Sequence, residues 1–169
     1  MKLEIKSYWK DNVLFSFETD NSKIALEAAV KARANLSGAN LSGANLRGAN
    51  LSWANLSGAD LTNTKGLYPI VPETGSFEGY KKLADGVVCH LLIPATAGRV
   101  GGYTGRKCRA EFAQVLDGEG FSLTPYYPKA TYKIGEIVKA DQWDPDPRIE
   151  CSGGIHFFLT RREAEGYSF

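Results

Sequence analysis

Ala34-Asn-Leu-Ser-Gly, Ala39-Asn-Leu-Ser-Gly, Ala44-Asn-Leu-Arg-Gly, Ala49-Asn-Leu-Ser-Trp, Ala54-Asn-Leu-Ser-Gly and Ala59-Asp-Leu-Thr-Asn run without an insertion, and this stretch decides the fold. A strict short period constrains architecture more firmly than any single motif. Its Ala and Leu columns never break. A helix cannot use the pattern, because apolar residues at spacings of five and ten drift around a turn of about 3.6 residues. A pleated strand cannot use it either, because an odd period flips the apolar set to the opposite face at each repeat. A backbone that turns one corner per repeat keeps every Ala and Leu inside.

The run resembles the pentapeptide-repeat family. That resemblance implies a right-handed quadrilateral β-solenoid with four repeats per coil, Leu filling the shaft and Ala leaving room at the corner. Asn or Asp between them faces outward or bonds to the turn backbone, as these side chains do readily. Positions twenty residues apart should then stack, Leu36 with Leu56 and Leu41 with Leu61. All six Leu should be buried. With coils spaced like neighbouring strands, six repeats give on the order of 7–8 Å of shaft. Such a short solenoid needs caps at its ends.

The remaining sequence supplies flanking elements. Leu3-Glu-Ile-Lys-Ser-Tyr-Trp and Val13-Leu-Phe-Ser-Phe-Glu alternate around a turn signal at Asp11-Asn12, which predicts a β-hairpin. Asp20-Asn21-Ser22 can cap an Ala-rich helix from Lys23 to about Arg33. Residues 1–33 are therefore read as an N-terminal cap, 34–65 as the solenoid and 66–169 as a small α+β C-terminal domain, giving a mainly β protein. In the last segment a loop leads to Phe77 and Tyr80. Strands are expected at Val87–Pro94, Cys108–Leu116, Tyr132–Val138 and Gly154–Leu159, with a loop over 117–131 and an acidic turn region over Asp141–Ile149. Thr160-Arg-Arg-Glu163 is a capping box that opens a short final helix. Trp53 occupies a column held elsewhere by four Gly and one Asn. It is expected to pack against the N-terminal cap or the C-terminal domain.

Composition excludes several classes. The chain has 169 residues and a net charge of +1, so bulk charge implies no nucleic-acid partner. No apolar run reaches the roughly 18 residues of a membrane helix, and the opening Met-Lys-Leu-Glu-Ile-Lys lacks a secretory pattern. Three Cys without a CxxC pair argue for a reducing compartment.

A second resemblance rests on Thr74-Gly-Ser-Phe-Glu-Gly-Tyr-Lys-Lys, Leu91-Leu-Ile-Pro, Thr104-Gly-Arg-Lys-Cys-Arg-Ala, Glu150-Cys-Ser-Gly-Gly-Ile-His-Phe-Phe and Glu163-Ala-Glu-Gly-Tyr. These strings, across most of residues 73–167, are similar to an uncharacterised domain encoded largely by bacteriophages and large DNA viruses, often behind pentapeptide repeats. The resemblance implies a viral origin and the cytoplasm of a host bacterial cell. It implies no reaction.

For a ligand site, the sequence points to Gly98-Arg-Val-Gly-Gly-Tyr-Thr-Gly-Arg-Lys-Cys-Arg. Arg99, Arg106 and Arg109 would clamp an anion, Lys107 would add a mobile charge, and Tyr103 an aromatic face for a base. A solvated hairpin loop is the competing reading of the same residues. Cys108, Cys151 and His156, with Cys89 or His90, are soft-ligand types, but their spacing is not finger-like and buried structural thiols fit better. Cys151 and His156 as a nucleophile pair would face opposite ways in a strand. A faint resemblance of Gly154-Ile-His-Phe-Phe and the following helix to ADP-ribosyltransferases would recruit His90 with Glu136 or Glu150.

No paired carboxylates, P-loop or Ser/His/Asp set appears, so a binding role is preferred to catalysis and no cofactor or metal is expected. The reading is a phage-type accessory protein that recognises a host protein or other macromolecule, or a small anionic ligand such as a nucleotide, with homo-oligomerisation left open. The alternatives are a virion or assembly component with the solenoid as spacer, and the transferase. Some pentapeptide-repeat proteins inhibit DNA gyrase by presenting an acidic surface shaped like DNA. Residues 34–63 carry one acidic side chain, Asp60, and one basic, Arg47, so the field that mimicry needs is missing. The protein should leave gyrase activity unchanged in a supercoiling assay, and potent inhibition would reverse this reading.

Overall fold

A computed structural model describes residues 1–67, 70–103, 105–122, 130–149 and 151–168. It is mainly β, with small antiparallel sheets. The chain divides into two compact units. The first comprises Met1–Tyr68, Gly102–Gly105 and Pro147–Glu150, and the second Pro69–Gly101, Arg106–Asp146 and Cys151–Phe169. No helix among the described residues is long and apolar enough to cross a membrane.

In the first unit, β1 (Lys2–Lys6) and β2 (Val13–Glu18) form the antiparallel hairpin. Helix α1 spans Ser22–Lys31. The Asn21 side chain caps it by accepting from the Lys23 and Ile24 amides. It ends before the expected Arg33 because Arg33 takes a left-handed conformation, φ 55°. The Arg33 amide donates to Val30 O and the Ala34 amide to Ala29 O, a Schellman stop built without glycine. The chain then enters the repeats.

Each repeat closes a corner with the same bonds. The Ala39 amide donates to Leu36 O at 3.0 Å, and Ala44, Ala49, Ala54 and Ala59 repeat this at 2.9–3.0 Å. The third residue of each such turn has positive φ, as at Gly38 (68°) and Gly43 (70°), where glycine carries no steric penalty. In all six repeats the Asn or Asp side chain accepts the amide two residues on, from Asn35 with Ser37 to Asp60 with Thr62. Repeats also meet in parallel. Asn40 bridges Asp60 and Asn45 bridges Lys65, while Leu41 N donates to Asp60 O and Asp60 N to Ala39 O. The repeats thus fit a β-solenoid.

The Leu column from Leu36 to Leu56 is buried in one cluster with Ile5 of the hairpin and Leu26 and Ala29 of α1. Leu61, expected to be buried like the others, is only partly so. Hairpin and helix both reach the repeats directly. Asn40 N donates to Lys6 O, Tyr8 N to Gly38 O, and Asn50 N to the Glu27 carboxylate at 2.8 Å.

In the second unit β3 spans Phe77–Lys82, β4 Val88–Ile93, β5 Arg99–Gly101, β6 Cys108–Ala110, β7 Phe112–Asp117, β8 Gly120–Phe121, β9 Thr131–Tyr132, β10 Ile137–Lys139 and β11 Ile155–Phe157. Helix α2, Arg161–Gly166, follows the capping box of Thr160 and Glu163. One sheet has the order β10-β7-β4-β3, a second β11-β6-β5, and β8 pairs with β9. Leu91, Ile93, Ala113, Val115, Cys108, Ala110 and Phe157 belong to its shared core.

Three expectations change here. The single strand over Cys108–Leu116 is two, because the chain leaves one sheet for the other at exposed Glu111. The strand over Tyr132–Val138 breaks at a turn in which Gly135 has φ 84° and Glu136 N donates to Lys133 O. Phe77 and Tyr80, to which the loop was expected to lead, lie on β3. Gly79 is needed within that strand, since a Cβ there would lie 2.5 Å from the Phe157 ring. The expected loop over 117–131 is interrupted, because Gly120–Phe121 forms β8 and pairs with Thr131–Tyr132, while residues 123–129 lie outside the described residues.

Trp53 reverses its expectation. It is 89% exposed, and it takes the left-handed corner, φ 69°, that its glycine counterparts occupy freely. An aromatic residue there carries the Cβ–carbonyl clash of left-handed backbone. Trp53→Gly should therefore stabilise the protein by on the order of 1 kcal/mol, after the entropy lost by glycine, readable as a rise in urea midpoint with unchanged slope. A lower midpoint would mean that the indole makes a stabilising contact.

Candidate functional site

The basic loop folds in a way its sequence does not announce. Arg99 on β5 directs its guanidinium at main-chain carbonyls: Nη1 donates to Gly75 O and Nη2 to Pro94 O, both at 2.6 Å, and Nε to Ala97 O at 3.2 Å. Its Cζ stands 5.2 Å from the centre of the Phe77 ring. Arg109 on β6 is only 2% exposed. Its Nη1 donates to Asp144 O and Gly153 O, and its Nη2 to Asp146 O. Both arginines tie loops to strands, a fork geometry that lysine could not reproduce. Arg106 is exposed and donates through Nε to Glu163 at 2.6 Å, the same carboxylate that completes the α2 cap. Tyr103 belongs to the first unit, where its amide donates to Pro147 O at 3.4 Å. The expected clamp of three arginines is thus taken apart, because each guanidinium already has a protein acceptor.

Lys107 is different. It is 8% exposed, and its ammonium donates to Cys151 Sγ at 3.2 Å and to Tyr167 Oη at 3.3 Å. The ammonium also stands 5.1 Å from the Tyr167 ring centre. No carboxylate among the described residues pairs with it. Burial pulls its pKa down, but the hydrogen bonds to Cys151 and Tyr167 outweigh that and raise it.

More positive charge converges on the same place. Lys81 on β3 donates to His156 O at 3.2 Å. Desolvation lowers its pKa to about 8, with the charge of Lys107 acting in the same direction. His156 on β11 shares a bond of 2.9 Å between Nε2 and Ser152 O. Burial, and then Lys107 and Lys81, lower its pKa to about 4, so it stays neutral near pH 7. Lys82 points elsewhere and donates to Glu165 O and Tyr167 O, holding the end of α2. Lys107, Lys81, His156, Cys151 and Tyr167 thus form one titratable cluster. Sequence reasoning singled out Lys107, Cys151 and His156, and Tyr167 only through the transferase resemblance, but not Lys81. The paired lysines that end Phe77-Glu-Gly-Tyr-Lys-Lys were the available signal.

The other candidates resolve simply. Cys89 and Cys108 are buried, and burial lifts both thiols to about 12, whereas Cys151 is exposed. Among the described residues no group of three or more His, Cys, Asp or Glu is placed to hold a metal ion. His90 on β4 contacts Glu78 at 2.9 Å and stacks on Tyr80, with β7 between it and the strand that follows Glu136. Glu150 lies outside the described residues.

One unit holds the five-residue repeats, and the other holds three small antiparallel sheets and the basic cluster. Residues 32–65 match the family described as pentapeptide repeats (8 copies). Residues 68–164, more than half of the chain, match a family of unknown function, DUF5758, and the chain belongs to that family. Comparison with curated proteins found no match, and comparison with solved structures found none.

His156 makes stability pH-dependent in a defined direction. Its folded pKa of about 4 lies below the ordinary 6.5, so its contribution is complete above pH 6.5 and is lost as pH falls toward 4. The parent should lose on the order of 2–3 kcal/mol over that window through this group, and His156→Gln should flatten the pH 5–6.5 part of the profile in chemical denaturation. Parallel profiles would place the acid sensitivity elsewhere.

Proposed function

We propose that this is a phage-type accessory binding protein, acting in the cytoplasm of a host bacterium, whose C-terminal unit takes a small anionic ligand at Lys107. The observation that carries the reading is the Lys107 ammonium, nine-tenths buried and facing a thiol and a phenol instead of a carboxylate. Its hydrogen bonds to Cys151 and Tyr167 hold Lys107 in the charged form, and Lys81 and Arg109 add to the positive field beside it. A phosphate or carboxylate group would meet that field with opposite charge. Arg106 stands exposed in the residue before Lys107 and could exchange its Glu163 contact for a ligand oxygen. In this reading Arg99 and Arg109 keep the loops in place and do not touch the ligand. The repeats, wound as a right-handed quadrilateral solenoid, serve as a platform whose neutral Asn and Ser surface suits a host macromolecule better than nucleic acid.

Calorimetric titration with inorganic phosphate and with linear and cyclic nucleotides, at two salt concentrations, tests the proposal. Binding should weaken at higher salt, and Lys107→Met should weaken it by about tenfold or more, the worth of one charged hydrogen bond. Absence of heat with every anion, or equal binding by the Lys107→Met protein, would overturn it. A virion component, with the solenoid as spacer, would instead show fixed copy number in purified particles.

A further inference from the structure

We propose that Cys151 and Lys107 form a peroxide-driven covalent cross-link, an S–N bond between Sγ and Nζ. This goes beyond anion binding and does not depend on it. The two atoms are already 3.2 Å apart, in one unit, although 44 residues separate them in the chain. Cys151 is exposed, so a small oxidant reaches it, whereas Cys89 and Cys108 are buried. Lys107 is held on the sulfur by burial and by Tyr167 Oη, and no carboxylate among the described residues draws the ammonium away.

The chemistry uses each partner twice. The Cys151 thiolate attacks one oxygen of hydrogen peroxide, the O–O bond breaks, and Cys151 becomes a sulfenic acid. The departing hydroxide takes a proton from the Lys107 ammonium and leaves as water. Lys107 is then a neutral amine beside an electrophilic sulfur. Its lone pair attacks Sγ, the S–O bond breaks, and the hydroxyl leaves with a proton from nitrogen as a second water. Sulfur is oxidised by two electrons and the peroxide is reduced. Thiol, amine and peroxide give one S–N bond and two waters. The product has lost the ammonium charge of Lys107, so oxidation would also remove the charge at the centre of the basic cluster.

The test exposes the full-length reduced protein to hydrogen peroxide, digests it without reductant and maps it by mass spectrometry. The expected product is a peptide pair joined through Cys151 and Lys107, two hydrogens lighter than the separate peptides and released by dithiothreitol. Lys107→Arg keeps a cation in place but offers no competent amine. In that variant Cys151 should accumulate as a sulfenic acid that dimedone traps, with no joined pair. Cys151→Ser should abolish the joined pair while leaving Lys107 unmodified. Sulfenic or sulfinic acid at Cys151 of the parent with Lys107 unmodified would overturn the proposal. So would a joined pair that survives Lys107→Arg, or one carrying an extra oxygen between sulfur and nitrogen. None of these readouts involves an anionic ligand, so failure here leaves the binding reading untouched, and the reverse holds as well.

Discussion

The repeat unit depends on one constraint: a chain that turns a corner every five residues must satisfy its backbone locally at each corner. The Ala amide reaches the Leu carbonyl three residues back, and the Asn or Asp oxygen takes the amide two residues on. With the corner closed from within, Leu is left to fill the core and other amides to reach a later repeat, as between Asn40 and Asp60. The hairpin and α1 complete the arrangement by placing Ile5, Leu26 and Ala29 in the same cluster. Without them the short array would expose the apolar ends that a solenoid must cover.

The second unit solves a different problem, the anchoring of irregular loops. Arg109 gathers the carbonyls of Asp144, Asp146 and Gly153, and Arg99 those of Gly75, Pro94 and Ala97. A buried guanidinium with several carbonyl acceptors satisfies groups that would otherwise be orphaned. It also explains why a loop rich in basic residues presents so little free charge. Lys107 stands apart from this scheme because its partners are a thiol and a phenol.

What could be read from the sequence follows from how local the determining interactions are. The Asn column, the positive-φ corners, the Asn21 cap and the Thr160–Glu163 box each act within a few residues, and each left its mark in the chain. The switch at Glu111 leaves none, because one exposed residue between two apolar runs looks like an uninterrupted strand. Strand β3 was hidden by Gly79 and two lysines, residues that disfavour strands, yet Gly79 is what the Phe157 ring requires. The basic loop was visible as charge, but its acceptors lie 24 to 57 residues away for Arg99 with Gly75, Arg109 with Asp144, and Arg106 with Glu163. The contact between Lys107 and Cys151 spans 44 and was equally out of reach.

The pairing of Asn40 with Asp60 and of Asn45 with Lys65 has a consequence for how such an array changes over generations. Each corner is self-sufficient, so duplicating or deleting one pentapeptide would leave every corner intact. Asn40 and Asp60, and Asn45 and Lys65, meet through main-chain groups, and the columns they belong to recur every five residues, so a shifted repeat would find an equivalent partner. An array built this way can change length one pentapeptide at a time.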